Sequence, residues 1–252
     1  MALRVTIKAS DVAACIGLNP YKSPAEVRDE LWKKYWPETF TGLTKTDEAR
    51  ASLAKSATAQ KVLDQAVAYK AKDSTEAQTN FEKAKKGIEK DDSLAAEEKA
   101  LVIEHLRSKC YTTHGTRSED RTADKVSEET GTTLLRDNSF YTLPVLERND
   151  GTAFFVTGKV DRIEVGPDGR RTLVEIKNRT RRLFNTVREY ENIQIQVYLR
   201  MLGLLDAKLI EQYNNTTGTL LIARDEEIWD NEIWPGLVDF ATDLHEHATG
   251  RK

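Results

Sequence analysis

Asp161, Glu175 and Lys177 are the residues of this 252-residue chain whose types and spacing best suit chemistry. They lie in Gly158-Lys159-Val160-Asp161-Arg162 and, beyond a Pro167-Asp168-Gly169 turn, in Val174-Glu175-Ile176-Lys177. Strand side chains alternate between faces, so Glu175 and Lys177 project together while Ile176 turns to the core. The turn folds the preceding strand back alongside, which brings Asp161 next to Glu175. Two carboxylates and an ammonium then converge at the edge of a sheet. Hard oxygen ligands of this kind suit Mg²⁺ or Mn²⁺, which keep waters and bind substrate phosphate. A lysine beside them can orient or deprotonate a water. These are the components of metal-assisted phosphodiester hydrolysis. The plainer alternative is a solvated strand face with cross-strand ion pairs. Leu173, Val174 and Ile176 weigh against it, because they give this strand a central, apolar character.

The elements that must position these residues follow from periodicity and punctuation. Ser10 reads as the N-cap of a two-turn helix ended by Gly17, with a turn at Asn19-Pro20. Ser23-Pro24-Ala25-Glu26 has the form of a capping box with Pro at the first helical position. Residues 45–109 are rich in Ala, Lys, Glu, Asp and Gln and contain no Pro and one Gly, Gly87. Their apolar stripes predict two or three thin amphipathic helices, a hairpin projecting from the main body. A helix is expected over 116–129, ended by Gly131, and strands over 134–143, 153–165 and 172–177. A helix over 185–205, a strand over 219–223 and a helix over 228–247, interrupted near Pro235, complete the pattern. The order predicts a mixed α/β layer structure, with a central mixed sheet flanked by helices.

Composition sets the outer limits. With 39% hydrophobic and 31% charged residues the chain can bury a core, and its length favours one domain over 1–252 with 45–109 as a helical insertion. No run approaches about 18 apolar residues, and the first ten residues lack an apolar h-region, so neither a membrane span nor a signal peptide is expected. Cys15 and Cys110 are the only cysteines, which excludes a disulfide scaffold and an all-cysteine metal centre. The expectation is a soluble protein of a reducing compartment. A net charge of −3 argues against a generally basic DNA-coating protein but leaves room for a local basic patch. The densest such patch near the candidate strand is Arg179, Arg181 and Arg182, with Arg188 further on. Arg forks suit phosphates. His114 reads as a loop residue and His105 as a helix-face residue, neither as a ligand or base.

Glu119 at the start of a helix, then Asp161, then Glu175-x-Lys177, then Gln194 and Tyr198 at i,i+4 form a longer constellation. An acid on a helix followed by Asp, Glu-x-Lys and Gln-x-x-x-Tyr resembles the PD-(D/E)XK nuclease superfamily. Ala9-Ser10-Asp11 through Gly17-Leu18-Asn19-Pro20-Tyr21-Lys22-Ser23-Pro24 further resembles the YqaJ-type viral recombinases, relatives of phage lambda exonuclease. The resemblance covers about 8–31 and 114–203, but not the 45–109 insertion. It implies direct metal ligation by Asp161, Glu175 and the Ile176 carbonyl, with Glu119 supporting a metal through water. It implies that Lys177 positions or activates the attacking water, that Gln194 and Tyr198 brace the site and the DNA backbone, and that Ser10 holds a phosphate. Val160 stands where a Pro is frequent, Asp120 follows Glu119 where a Pro is common, and Arg4 matches only imperfectly the arginine that grips the DNA end. The implied activity is a Mg²⁺-dependent 5′→3′ exonuclease on double-stranded DNA ends, leaving 3′ single-stranded tails for recombination. A repair or restriction-type endonuclease and a non-catalytic DNA-binding or assembly protein are the alternatives. A single-strand annealing partner, a ring-shaped homotrimer and work in the cytoplasm of a bacterial or virus-infected host are further implications of the resemblance.

Overall fold

In the computed structural model, which describes residues 3–250, the chain enters through β1 (Arg4–Lys8), whose Val5 and Ile7 are fully buried. The two ends of the 1–252 span, residues 1–2 and 251–252, lie outside the described residues. A 3₁₀ turn over Ala9–Asp11 leads into α1 (Val12–Cys15), a single turn of helix. Ser10 lies inside that turn, exposed and without a capping hydrogen bond, so the two-turn helix read from Ser10 to Gly17 is shorter than expected. The apolar Val12, Ala13 and Ala14 are instead held by packing against later helices. Gly17 does take the left-handed conformation, with φ +79°. In α2 (Pro24–Tyr35) the capping box forms as the sequence predicts: the Glu26 amide donates to Ser23 Oγ, and the Ser23 amide donates to the Glu26 carboxylate at 2.8 Å.

Residues 45–109 are a bundle rather than a thin hairpin. Helices α3 (Lys45–Leu53), α4 (Ala57–Ala68) and α5 (Ser74–Glu89) pack on the first part of α6 (Ala96–Thr130). They share their own apolar cluster, with Leu63, Phe81, Ile88, Val102 and Leu106 among its members. Ala59, Ala66 and Ala84 fill the same cluster, which is why the stripes read as thin: small side chains allow close helix approach without adding apolar bulk. The helix expected over 116–129 is only the second half of α6, which runs unbroken for 35 residues before Gly131 ends it with φ +69°.

The strands divide between two mixed sheets. In the first, β1 pairs parallel with β4 (Ala153–Gly158), which pairs antiparallel with β3 (Tyr141–Glu147). In the second the order is β2-β5-β6-β7-β8, formed by Leu134–Arg136, Arg162–Val165, Arg171–Asn178, Asp206–Tyr213 and Thr216–Ala223. Only β6 and β7 run parallel in it. The expected strands 134–143 and 153–165 are therefore each broken in two, one piece per sheet. The mixed α/β class holds; the single central sheet becomes a pair. Helix α7 (Glu189–Leu202) covers one face of the five-stranded sheet over Leu173 and Leu209, while Ala123 and Val126 of α6 cover Val174, Ile176 and Ile210 on the other. After α8 (Glu226–Ile228) a π-helical segment, Trp229–Ile233, leads into α9 (Trp234–Ala248), with Pro235 in its first turn. Among the described residues no helix is long and apolar enough to cross a membrane.

Candidate active site

Asp161 sits where the chain crosses from one sheet to the other, between the end of β4 and the start of β5. The β5–β6 hairpin pairs Arg162 with Val174, and just past that pair Asp161 Oδ2 accepts a 2.8 Å hydrogen bond from the Ile176 amide. In a strand the N–H and C=O of one residue face the same neighbour. The Ile176 carbonyl is therefore directed to the side where the β5 register has ended. Glu175 and Lys177 project to the opposite face from Val174 and Ile176, toward α7, as the alternation predicts.

Glu175 is 3% exposed. Its Oε1 accepts from Lys177 Nζ at 2.8 Å and from Gln194 Nε2 at 3.0 Å, while its Oε2 is buried without a hydrogen-bond partner among the described residues. Lys177 Nζ also approaches Gln194 Oε1 at 3.4 Å, and Gln194 Nε2 approaches the Tyr198 hydroxyl at 3.5 Å. Burial raises the Asp161 pKa well above the usual carboxylate range, and repulsion from Glu175 and Glu119 adds to it. Burial alone would lower the Lys177 pKa, but the charge of Glu175 and its hydrogen bond outweigh it and hold the ammonium protonated. Burial, with the Glu175 charge, likewise raises the Tyr198 hydroxyl. Two carboxylates crowd a partly buried site that contains one ammonium, and one buried oxygen has no donor. A buried carboxylate oxygen without a hydrogen-bond donor is costly, and a bound cation is one way to offset that cost. The donor set, all oxygen, fits a hard divalent ion.

Glu119 approaches from α6 but is engaged elsewhere. Arg162, 3% exposed, donates from Nη1 to Glu119 Oε1 at 2.7 Å and to the Asp161 carbonyl at 2.6 Å, and its Nη2 pairs with Asp120. Arg136 holds Asp120 from the other side, with Nη1 at 3.1 Å from both carboxylate oxygens. No group of three or more His, Cys, Asp or Glu among the described residues could by itself hold a metal, so Glu119 does not join Asp161 and Glu175 in one cluster. The acidic pair Glu119-Asp120 and the Arg162 that follows Asp161 are the signal in the sequence for this docking, and a reading built on motifs passes over Arg162.

Two expectations for the DNA-binding residues need correction. Arg179 is not a free phosphate fork: its guanidinium pairs with Glu191 at 2.6 Å and Glu211 at 2.7 Å, both nearly fully buried. Glu211 in turn accepts from the amides of Phe184 at 3.1 Å and Asn185 at 2.8 Å, and Arg179 and Arg188 lie over the Phe184 ring. The arginine thus shapes the loop over 179–188, leaving Arg181 and Arg182 exposed on it. Ser10 is exposed on a turn packed against β4 and α7, but the one-turn α1 behind it gives no long helix N-terminus to favour an anion. Arg4 lies within β1, over the Phe155 ring at 4.1 Å.

The sequence profile of the PD-(D/E)XK nuclease superfamily matches residues 21–231, which includes Glu119, Asp161, Glu175, Lys177, Gln194 and Tyr198. Among solved structures, a phage-related exonuclease from Haemophilus somnus 129PT is similar at 12% identity and TM-score 0.47, covering 100% of this chain and 97% of that one. An alkaline exonuclease from Laribacter hongkongensis is similar at 15% identity and TM-score 0.42, covering 82% of this chain and 95% of that one. No curated protein matches the sequence. The family profile extends across both halves of the divided sheet system, and the chain belongs to the PD-(D/E)XK nuclease superfamily.

Proposed function

We propose that the chain is a divalent-metal-dependent deoxyribonuclease acting on the ends of double-stranded DNA. The observation that carries this reading is the buried, unpartnered Glu175 Oε2 in a site shared with Asp161 and Lys177. Asp161, Glu175 and the Ile176 carbonyl would hold Mg²⁺ or Mn²⁺, with Glu119 assisting through water. Such an ion, when bound, polarises a phosphate and makes a water more acidic. Lys177 keeps a protonated ammonium beside Glu175, where it can orient the attacking water and offset charge on the phosphate oxygens. Gln194 and Tyr198 hold Glu175 and Lys177 in register against α7. Arg181 and Arg182 offer exposed forks to backbone phosphates.

The motif resemblance to YqaJ-type recombinases supports the finer reading: 5′→3′ digestion that leaves 3′ tails for recombination, an annealing-protein partner, a homotrimer, and work in the cytoplasm of a bacterial or virus-infected host. The chain is taken as one nuclease domain, with 45–109 as an insertion whose last helix continues into the site. The test is digestion of linear and covalently closed duplex DNA, each with Mg²⁺ and with EDTA. Loss of the linear duplex from its 5′ ends, with the closed circle intact, is the expected result. Cutting of the closed circle would replace the exonuclease reading with an endonuclease, and no cutting of either would end the catalytic one.

A further inference from the structure

We propose that the open cavity between α4, α5 and the middle of α6 is a phosphate-binding subsite, which takes a backbone phosphate of the DNA that crosses the neighbouring carboxylates. The choice of DNA as the ligand rests on the nuclease reading; the phosphate chemistry does not. The cavity has a volume of about 400 Å³, within the ordinary range of ligand-binding clefts. Lys70, Arg117 and Arg121 line it and no carboxylate does, in a chain whose net charge is −3. Three cations in one concave wall focus a positive potential, partly offset by Asp73 nearby, that a mobile anion can neutralise.

Each wall residue has a distinct part. Arg117 Nη1 donates to the carbonyls of Val67 at 3.3 Å and Tyr69 at 3.0 Å, so it frames the cavity by tying the end of α4 to α6. Arg121 donates from Nη2 to Ser118 Oγ at 3.2 Å, and Lys70 makes no ion pair among the described residues. His114 is 8% exposed, lines the cavity, and makes no hydrogen bond within the described chain. Its ring nitrogens are not among the fully buried polar atoms, so the imidazole meets solvent in the cavity, where a bound group can reach it. Burial lowers the His114 pKa, and Arg121 lowers it further against the opposing pull of Asp73 at the start of α5. The position suits a nucleic acid. His114 and Glu119 are five residues apart on one continuous helix, about 7.5 Å along its axis. Five residues also turn the helix by about 140°, so a strand that touches both must pass around α6. The insertion helices supply the far wall, so 45–109 would contribute directly to substrate binding.

The test uses His114 as its own reporter. The chain has four histidines, few enough for their ring signals to be resolved by NMR. Full-length protein in EDTA is titrated with inorganic phosphate, with a 5′-mononucleotide, and with a short duplex carrying a single-stranded tail. The His114 ring signals should move with the duplex and, more weakly, with the two small probes. In the Lys70→Ala/Arg121→Ala variant the shift should disappear. DNA affinity should fall about tenfold, and the salt slope of binding should drop by about one unit for each phosphate that the variant no longer neutralises. No movement of His114 with any probe, or DNA affinity and salt slope unchanged in the variant, would overturn the subsite. A response to the small probes but not to the duplex would overturn the assignment to DNA. Cutting by the wild-type protein with Mg²⁺ is scored separately, so failure of the nuclease reading is not confused with failure of the cavity.

Discussion

The Ile176 amide donates to Asp161 Oδ2 at 2.8 Å, and this one bond joins the turn between the two sheets to the strand that carries Glu175 and Lys177. Asp161 is thereby held just past the last β5–β6 pair, where a main-chain partner would otherwise stand. The backbone thus fixes the carboxylate, and the fold accepts like-charge repulsion from Glu175 and Glu119 as a result. This is local destabilisation retained at a site that needs it.

Asp161→Asn should separate stability from activity. Its raised pKa means that the ionised form is disfavoured in the folded state, so removing the charge relieves the metal-free protein. Without divalent ions the variant should melt about 2–4 °C above the wild type, equivalent to ~1 kcal/mol. Nuclease activity should fall by about 10²-fold or more, the scale of removing a preorganised charged group. Mg²⁺ or Ca²⁺ should raise the melting temperature of the wild type and of Lys177→Ala but not of Asp161→Asn. Differential scanning fluorimetry with and without EDTA measures all three. A metal-induced rise in Asp161→Asn equal to the wild type would remove Asp161 from the ligand set.

The arginines of the 179–188 loop should divide by function. Arg179→Ala leaves Glu191 and Glu211 buried without their cation, a loss of about 3–5 kcal/mol. Arg181→Ala/Arg182→Ala should leave the melting temperature within about 1 °C, since exposed substitutions stay within ~0.5 kcal/mol. The same pair should weaken DNA binding and reduce its salt slope by about 1.8. Denaturant melts and salt-dependent binding isotherms distinguish the two. An equally stable Arg179→Ala protein would show that the buried triad is not the anchor of the loop.

Gly158 should resist substitution. A Cβ at this position would overlap the Tyr198 ring and lie 2.9 Å from Ala9 Cβ. Gly158→Ala should cost about 1–3 kcal/mol, the range for overpacking a filled site. The loss should be less than additive with Tyr198→Ala, because the second change removes the obstructing ring. A double-mutant cycle on unfolding free energy reads this directly, and full additivity would mean that the two do not meet.

Asp47 gives a pH-dependent contribution in the bundle. Its contact with Lys33 at 2.6 Å, with help from Thr44, lowers its pKa to about 2. A depressed carboxylate stabilises the fold above its unfolded value and loses that contribution as pH falls through the folded one. Lys33 is half exposed, so screening reduces the expected effect to about 1 kcal/mol or less. Asp47→Asn should therefore be less stable than wild type at pH 7, with the gap closing between about pH 4 and pH 2. Thermal melts across that window would reject the account if the gap were the same at both ends.

What could be read from the sequence was what neighbours in sequence decide. The Ser23–Glu26 box, the hairpin turn at Pro167-Asp168-Gly169 and the shared face of Gln194 and Tyr198 depend on spacings of a few residues, and all three form. The break at Asp161 depends on which sheet each half of the strand joins, which no local pattern records. Strand β7 escaped because Asp206, Lys208, Glu211 and Gln212 read as polar, yet Glu211 is buried by a partner 32 residues away. The continuity of α6 was hidden by Gly115 and a scarcity of large apolar residues. Its buried stripe instead passes through Val102, Leu106, Cys110, His114, Ser118 and Thr122 at four-residue steps.

Because α6 passes from the bundle to Glu119 without a break, the bundle and the carboxylates share one rotational phase. A helix turns by about 100° per residue. A single residue inserted or deleted between Cys110 and Glu119 would therefore swing the bundle by roughly a quarter of a turn around the site and break the contacts that tie the two together, such as Asp47 with Lys33. Sequence changes in this stretch are constrained to full helical turns. The length of the segment works as a gear setting, as firmly fixed as the identity of the residues it connects.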